Sequence, residues 1–110
     1  LPVYLEKLTE SGARPELSST RTAFTIHNLA YAGLAHKDFL PRLGLDWSLF
    51  NMHELEYFDQ INPLKAGLVW SDVLTTVSSR YAQEIQTPQY GEGLDAVLQT
   101  RHADLHGILN

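Results

Sequence analysis

The pattern of apolar and polar residues along the chain predicts three β-strands. Residues 22–27 alternate between apolar and polar side chains and are rich in Thr, Phe and Ile, as expected for a strand with one buried face. Residues 72–77, with the sequence DVLTTV, form the second candidate. Residues 105–109 are apolar enough for a third strand, which Gly107 weakens because glycine offers no side chain to pack.

Apolar residues at spacings of three and four predict four helices, over residues 2–8, 63–70, 79–85 and 94–102. Asn62 and Pro63 mark the start of the second helix, because Asn can accept a free backbone amide proton and Pro suits the first helical position. Ser78 is the predicted N-cap of the third helix. Leu64, Leu68 and Val69 are expected to form the buried side of the second.

The order of these elements predicts an α/β fold with a parallel, Rossmann-like sheet and flanking helices. A strand, a long connection with a helix, a second strand, two helices and a third strand follow one another along the chain. Such alternation favours parallel strands covered by helices. The connection over residues 34–61 is rich in aromatic residues in no single phase, and only short helical turns are expected there.

The charge and cysteine content exclude several classes of function. The net charge is -5 over 110 residues, and the eight Lys and Arg are scattered, so no nucleic-acid or membrane-surface face is predicted. The chain contains no cysteine, which rules out disulfides and thiolate chemistry. The absence of an initiator Met leads us to expect a piece of a longer protein.

Polar residues at the ends of the predicted strands are the first candidates for a site. Parallel α/β sheets bind ligands at the carboxyl ends of their strands, where His27, Asn28, Ser78 and Asn110 are expected. An imidazole there can hydrogen-bond a sugar hydroxyl or stabilise a developing charge. The alternative is that His27 bonds a neighbouring carbonyl and merely ends the strand.

Other arrangements are weaker candidates. His102 and His106 have a spacing that can share a metal, but no carboxylate pair accompanies them, so no metal site is predicted. Gly91 and Gly93 lack the strand and the Lys-Ser/Thr pair of a phosphate loop and are interpreted as a turn and a helix cap. The loop carboxylates are interpreted as solvated; they are Glu54, Glu56 and Asp59.

Five sequence blocks can be compared with known families: IHNLAY, INPLKAGL, TTVS, YAQEI and GILN. In sequence and in order, from about residue 2 to the end, the chain closely resembles bacterial glycogen synthases and plant starch synthases. The resemblance implies a retaining glucosyltransferase of the two-domain GT-B fold, which moves glucose from ADP-glucose to the non-reducing end of an α-1,4-glucan. Residues 1–110 would then form the second half of its N-terminal, acceptor-side Rossmann-like domain.

The same resemblance assigns roles to four residues. It implies that His27 is a catalytic residue beside the transferred glucose, and that Asn28, Tyr31 and Asn110 bind substrate. It implies no metal ion or cofactor, and a cytoplasmic location, or a plastid one in a plant.

The nucleotide-binding domain and the lysine-glycine-glycine-leucine loop of the family are not in this chain, so the isolated chain is expected to be inactive and to self-associate through exposed sheet edges. Two alternatives are a non-catalytic glucan-binding or packing module built on Trp47, Phe50 and Tyr57, and a related sucrose- or trehalose-type GT-B glycosyltransferase.

Overall fold

The computed structural model describes residues 1–109. The predicted site residue Asn110 lies outside the described residues. The helices and strands, in chain order, are α1 (Pro2–Glu10), β1 (Ala23–Ile26), β2 (Ala35–His36), β3 (Glu56–Tyr57), β4 (Gln60–Ile61), α2 (Pro63–Trp70), β5 (Val73–Thr76), α3 (Ser79–Glu84), α4 (Asp95–Thr100) and β6 (Leu105–Gly107).

The three predicted strands form one parallel sheet in the order β1-β5-β6. Thr25 pairs with Thr75, which pairs with His106 on the other side. The next register row joins Ile26, Thr76 and Gly107. The predicted α/β class is therefore confirmed, and all four predicted helices are present.

The main core lies between one face of this sheet and the helices. Side chains of alternate strand positions point into it, because successive residues of a strand face opposite sides. The fully or nearly fully buried members are Ile26, Leu29, Leu68, Leu74, Ala82, Ile85, Leu94, Leu98 and Leu105. The opposite face of the sheet exposes Ala23, Thr25 and His106, so the helices cover only one side.

Helix α2 is buried more broadly than its sequence predicts. Leu68 is fully buried as expected, but Leu64 and Val69 are only partly buried, whereas Lys65, Ala66 and Gly67 are buried. The reason is that α2 packs on two sides: the main core lies on one, and α1 with the long connection lies on the other. Asn62 caps the helix as predicted, accepting the Lys65 amide proton at 2.9 Å.

The long connection holds a small antiparallel sheet that the sequence analysis did not predict. Its strand order is β2-β4-β3, and each strand is only two residues long, too short to show an alternating pattern. Short 3-10 turns at Lys37–Phe39, Pro41–Leu43 and Trp47–Leu49 agree with the expected helical turns. The segment closes a second core cluster with α1 and α2, formed by Val3, Leu40, Leu49, Leu55, Ile61 and Ala66.

Gly107, which from the sequence was expected to weaken the third strand, is required by a close contact between β6 and the start of α3. A Cβ atom at this position would lie 2.3 Å from the Ser78 carbonyl oxygen and 2.4 Å from the Ser79 Cα. Only glycine lets β6 pass this close to the start of α3. The contact therefore explains why a glycine occupies this strand position.

Candidate functional site

A small pocket lies at the carboxyl ends of the parallel strands. The chain leaves β1 at His27 and β5 at Val77, and the parallel register places both ends at the same rim of the sheet. The pocket has a volume of about 200 Å³ and is lined by Thr25, His27, Thr75, Thr76, Val77 and Ile108. The imidazole of His27 is exposed, although the preceding residue, Ile26, is buried.

Threonine side chains fix the floor of this pocket. The hydroxyls of Thr25 and Thr75 lie 2.8 Å apart and share a hydrogen bond across the two strands. The hydroxyl of Thr76 is buried and donates to the Ile26 carbonyl at 2.8 Å. Because the Ile26 carbonyl immediately precedes His27, this bond fixes the backbone from which the imidazole projects.

The loop after His27 is shaped by local hydrogen bonds. The side-chain oxygen of Asn28 accepts the Ala30 amide proton at 2.9 Å, and the Asn28 carbonyl accepts the Tyr31 amide at 3.3 Å. Leu29 anchors the turn in the core, whereas the side chain of Tyr31 is 82% exposed. The structure therefore brings His27, Asn28 and Tyr31 to one rim, with the ring of Tyr31 exposed to solvent.

Ser78 is used for structure. Its hydroxyl accepts the Tyr81 amide proton at 3.0 Å, which is the predicted N-cap of α3. Asn110 follows the described part of the chain, so its placement beside His27 stays a prediction.

The weaker sequence candidates have structural partners. The carboxylate of Glu54 accepts from the Asn51 amide group at 2.8 Å, and Asp59 pairs with Lys37 at 2.9 Å. The hydrogen bond and the charge of Asp59 raise the pKa of Lys37. His102 faces the Gln99 carbonyl at 2.8 Å and lies in a different element from His106.

The glycines of the YGEGLD segment form a turn, as interpreted from the sequence, but the expected helix cap was wrong, because Leu94 is the N-cap of α4. A Cβ atom on Gly91 would lie 2.5 Å from the Asp95 Cβ, and Gly93 has a φ of 77°. Among residues 1–109 there is no group of three or more His, Cys, Asp or Glu side chains that could hold a metal ion. None of the helices in residues 1–109 combines the length and the hydrophobicity that a membrane span requires.

The aromatic residues of the long connection mostly serve the core. Phe50 and Tyr57 are partly buried against the two core clusters. The ring of Trp47 meets that of Phe50 edge to face, with the centroids 5.9 Å apart, and is about half exposed. Their packing fits the commoner role of aromatic side chains and gives the glucan-binding module little support.

Two cations with structural roles were missed by the sequence analysis. Lys65 is 5% exposed, and its ammonium group donates to the Met52 and Glu56 carbonyls, each at 2.6 Å. The guanidinium of Arg101 donates to the Leu68 and Ser71 carbonyls at 2.6 and 2.7 Å. Neither residue was given a role from the sequence, because the carbonyl partners of both are distant along the chain.

The opposite rim of the sheet contains a perturbed carboxylate. Asp72 accepts the Thr22 amide proton at 2.7 Å, and this hydrogen bond is the main reason why the pKa of Asp72 is lowered. The contact ties the start of β5 to the start of β1, away from the His27 pocket, so we assign Asp72 to the fold.

Comparison with known proteins then gives the family. A family model described as the starch synthase catalytic domain matches residues 1–100. The chain belongs to this family. The resemblance seen in its sequence blocks is confirmed.

Relatives and one solved structure agree with this assignment. The chain is 60% identical to a glycogen synthase of Anaeromyxobacter sp. strain Fw109-5 over 94 residues, which are 86% of the chain and 20% of the relative. It is 51% identical to the Pseudothermotoga lettingae glycogen synthase over 110 residues, covering all of the chain and 22% of that protein. It therefore spans about a fifth of the length of the curated relatives that it matches.

The fold matches the catalytic domain of starch synthase IV from Arabidopsis thaliana, solved with ADP and acarbose bound. The TM-score is 0.82 and the sequence identity 36%, over 94% of this chain and 22% of that one. Together with the parallel sheet, this match confirms the predicted fold class, a part of a GT-B glycosyltransferase.

Proposed function

We propose that this chain is the second half of the acceptor-side, N-terminal Rossmann-like domain of a glycogen or starch synthase. The complete enzyme would transfer glucose from ADP-glucose to the non-reducing end of an α-1,4-glucan. Family membership supports this, as do relatives named glycogen synthase and a matching starch synthase that binds ADP and acarbose. The observation that carries the proposal is the exposed imidazole of His27 in a pocket at the strand tips.

His27 is proposed to contact the transferred glucose. The pocket volume of about 200 Å³ is comparable with one sugar ring, and the hydroxyls of Thr25 and Thr75 can donate to or accept from sugar hydroxyls. Asn28, Tyr31 and Asn110 would form the adjoining wall. Retention of configuration through an oxocarbenium-like state needs positioned groups and charge stabilisation, which an imidazole and a fixed backbone carbonyl can supply.

Other properties of the protein follow as proposals. The isolated chain would be inactive, because the family's nucleotide-binding domain is not among its 110 residues. We expect the enzyme to work in the cytoplasm, or in a plastid in a plant, with no nucleic-acid or membrane partner. The isolated chain would self-associate, because β1 and β6 each have a neighbour on only one side in the described sheet.

Replacing His27 tests the function. We expect His27→Ala in the complete enzyme to lower the rate of glucose incorporation from ADP-glucose into glycogen by about 100-fold or more, the usual effect of losing one well-placed catalytic group. His53→Ala is the matched control, because His53 is also an exposed histidine but lies in the long connection. Its rate should stay within about twofold of the unchanged enzyme.

Two results would contradict the proposal. An unchanged enzyme that incorporates no glucose would remove the activity itself. A His27→Ala enzyme within a few-fold of the unchanged rate would return His27 to the structural role that its position at the end of a strand also allows.

A further inference from the structure

The non-glycine residues with left-handed backbone lie in two adjoining turns on the surface. Among residues 1–109, the non-glycine residues with positive φ are Phe58 at 48°, Asp59 at 65° and Glu92 at 52°. A bulky aromatic residue rarely adopts this conformation, because its Cβ crowds the backbone. Phe58 and Asp59 are the two central residues of the β3-β4 hairpin, and the favoured two-residue turn has positive φ at both, usually with Asn, Asp or Gly there. The turn explains the backbone, so the feature that needs an explanation is a phenylalanine at its first position.

The ring of Phe58 is fixed yet open to solvent. It meets the ring of Tyr57 edge to face, with centroids 4.6 Å apart, and the Tyr57 hydroxyl donates to the Glu92 carbonyl. A Cβ atom on Gly93 would lie 3.2 Å from the Phe58 ring, so the second turn adjoins its edge. Even so, Phe58 remains 75% exposed.

An ion pair holds the other half of the hairpin tip. The ammonium group of Lys37 donates to both carboxylate oxygens of Asp59, at 3.0 and 2.9 Å. Lys37 directly follows β2, which pairs with β4 of the same hairpin. The hairpin tip is therefore held by contacts on both sides. The Phe58 ring would lose little conformational freedom on binding a ligand, which favours affinity.

The connectivity places the hairpin near the same rim of the sheet as His27, at the carboxyl ends of the parallel strands. It leads directly into α2, which begins near the carboxyl end of β1, as a helix following a parallel strand must. The Ala32 carbonyl in the loop after His27 accepts the Leu64 amide proton at 3.4 Å. Phe58 is not among the residues that line the His27 pocket.

We propose that Phe58 is a stacking platform for a glucose unit of the α-1,4-glucan, outside the pocket in which transfer occurs. The electron-rich face of an aromatic ring attracts the C–H groups on one side of a pyranose, and the polar side chains of Asp59 and Gln60 can bond its hydroxyls. The Lys37 ammonium at this tip is already paired with Asp59 and is not free to bind a phosphate, which favours a neutral glucan over a nucleotide. This inference rests on the proposed function, since that function makes the glucan a substrate.

Removing the ring while relieving the backbone tests the platform. We expect Phe58→Asn in the complete enzyme to weaken the binding of maltoheptaose and of glycogen by about five- to tenfold, measured by calorimetry and by affinity electrophoresis. Because Asn tolerates positive φ, the melting temperature of the Phe58→Asn enzyme should not fall. Phe58→Trp, which keeps an aromatic face, should bind within about twofold of the unchanged enzyme.

Phe39→Asn is the matched control. Phe39 is a half-exposed phenylalanine with the Arg42 guanidinium over its ring, and its φ is not positive. Its glucan affinity should be unchanged. Glucan affinity that survives Phe58→Asn, or that falls equally in Phe39→Asn, overturns the platform, as does an unchanged enzyme that binds neither probe. Glucose incorporation by the unchanged enzyme, measured in parallel, tests the proposed function separately.

Discussion

At the scale of single residues, Lys65 shows how one buried charge can organise a long loop. Its ammonium group lies in the first turn of α2 and donates to two carbonyls of the long connection, those of Met52 and Glu56. Desolvation is the main reason why the pKa of Lys65 is lowered. The burial of the charge has a cost, but without it two carbonyl oxygens would lose their hydrogen-bond partner.

Lys65→Met tests this balance, because Met keeps the aliphatic stem but removes the donor. We expect the free energy of unfolding at pH 7 to fall by about 1–3 kcal/mol, since leaving the Met52 and Glu56 carbonyls without a donor costs more than the relieved desolvation returns. Urea unfolding followed by tryptophan fluorescence measures it. Lys7→Met, at an exposed lysine of α1, should change stability by less than about 0.5 kcal/mol.

The dependence on pH gives a second measurement of the same residue. Because the pKa of Lys65 in the folded state lies below its ordinary value of 10.5, the unfolded state binds more protons at pH values between the two. The free energy of unfolding therefore rises with pH in that alkaline window. Below the window, the full cost of burying the Lys65 charge is present. The difference between the unchanged protein and Lys65→Met should widen as pH rises, and a constant difference would contradict the assignment.

At the scale of secondary-structure elements, α2 reaches the sheet through a glycine. A Cβ atom on Gly67 would lie 2.4 Å from the Phe24 ring of β1, so the helix can pack this closely only without a side chain there. The guanidinium of Arg101 then bonds the carbonyls at the end of the same helix, including that of Leu68 at 2.6 Å. Helix α2 is thus fixed against both β1 and the segment that follows α4.

Gly67→Ala should therefore destabilise the protein, although Ala favours helices by about 1 kcal/mol over Gly. We expect a net loss of about 1–3 kcal/mol from the contact with the Phe24 ring, measured as a shift in the urea midpoint. The double variant Gly67→Ala/Phe24→Leu should recover part of the loss, because the smaller side chain leaves room for the methyl group. Strictly additive effects of the two substitutions would show that the contact is not the cause.

The elements also show what the sequence could and could not predict. Strands β1, β5 and β6 and the caps at Asn62 and Ser78 were predictable, because alternation and capping depend on neighbouring residues. Strands β2, β3 and β4 were not, since two residues show no period. The His27 position followed from the end of β1, whereas its threonine floor depends on cross-strand register, which one strand does not encode.

At the scale of the whole molecule, the parallel sheet is covered on one face only. Sheets of parallel strands are normally covered on both faces, because the connections between their strands place helices on each side. Here the open face presents Ala23, Thr25, Val73, Thr75, His106 and Ile108. The exposed apolar members, Val73 and Ile108, give the isolated chain a surface for contact with a second copy.

A charge placed on this face should therefore reduce self-association of the isolated chain. We expect Val73→Lys to weaken it by about tenfold or more, because a lysine buried between two copies would lack a partner. Leu8→Lys is the control: Leu8 is 38% exposed on α1, against 37% for Val73, so both changes add one charge at a similarly accessible apolar site. Sedimentation velocity over a concentration series measures the effect. Equal association of the two variants, or a chain that stays monomeric throughout, would show that the open face is not a contact surface between copies.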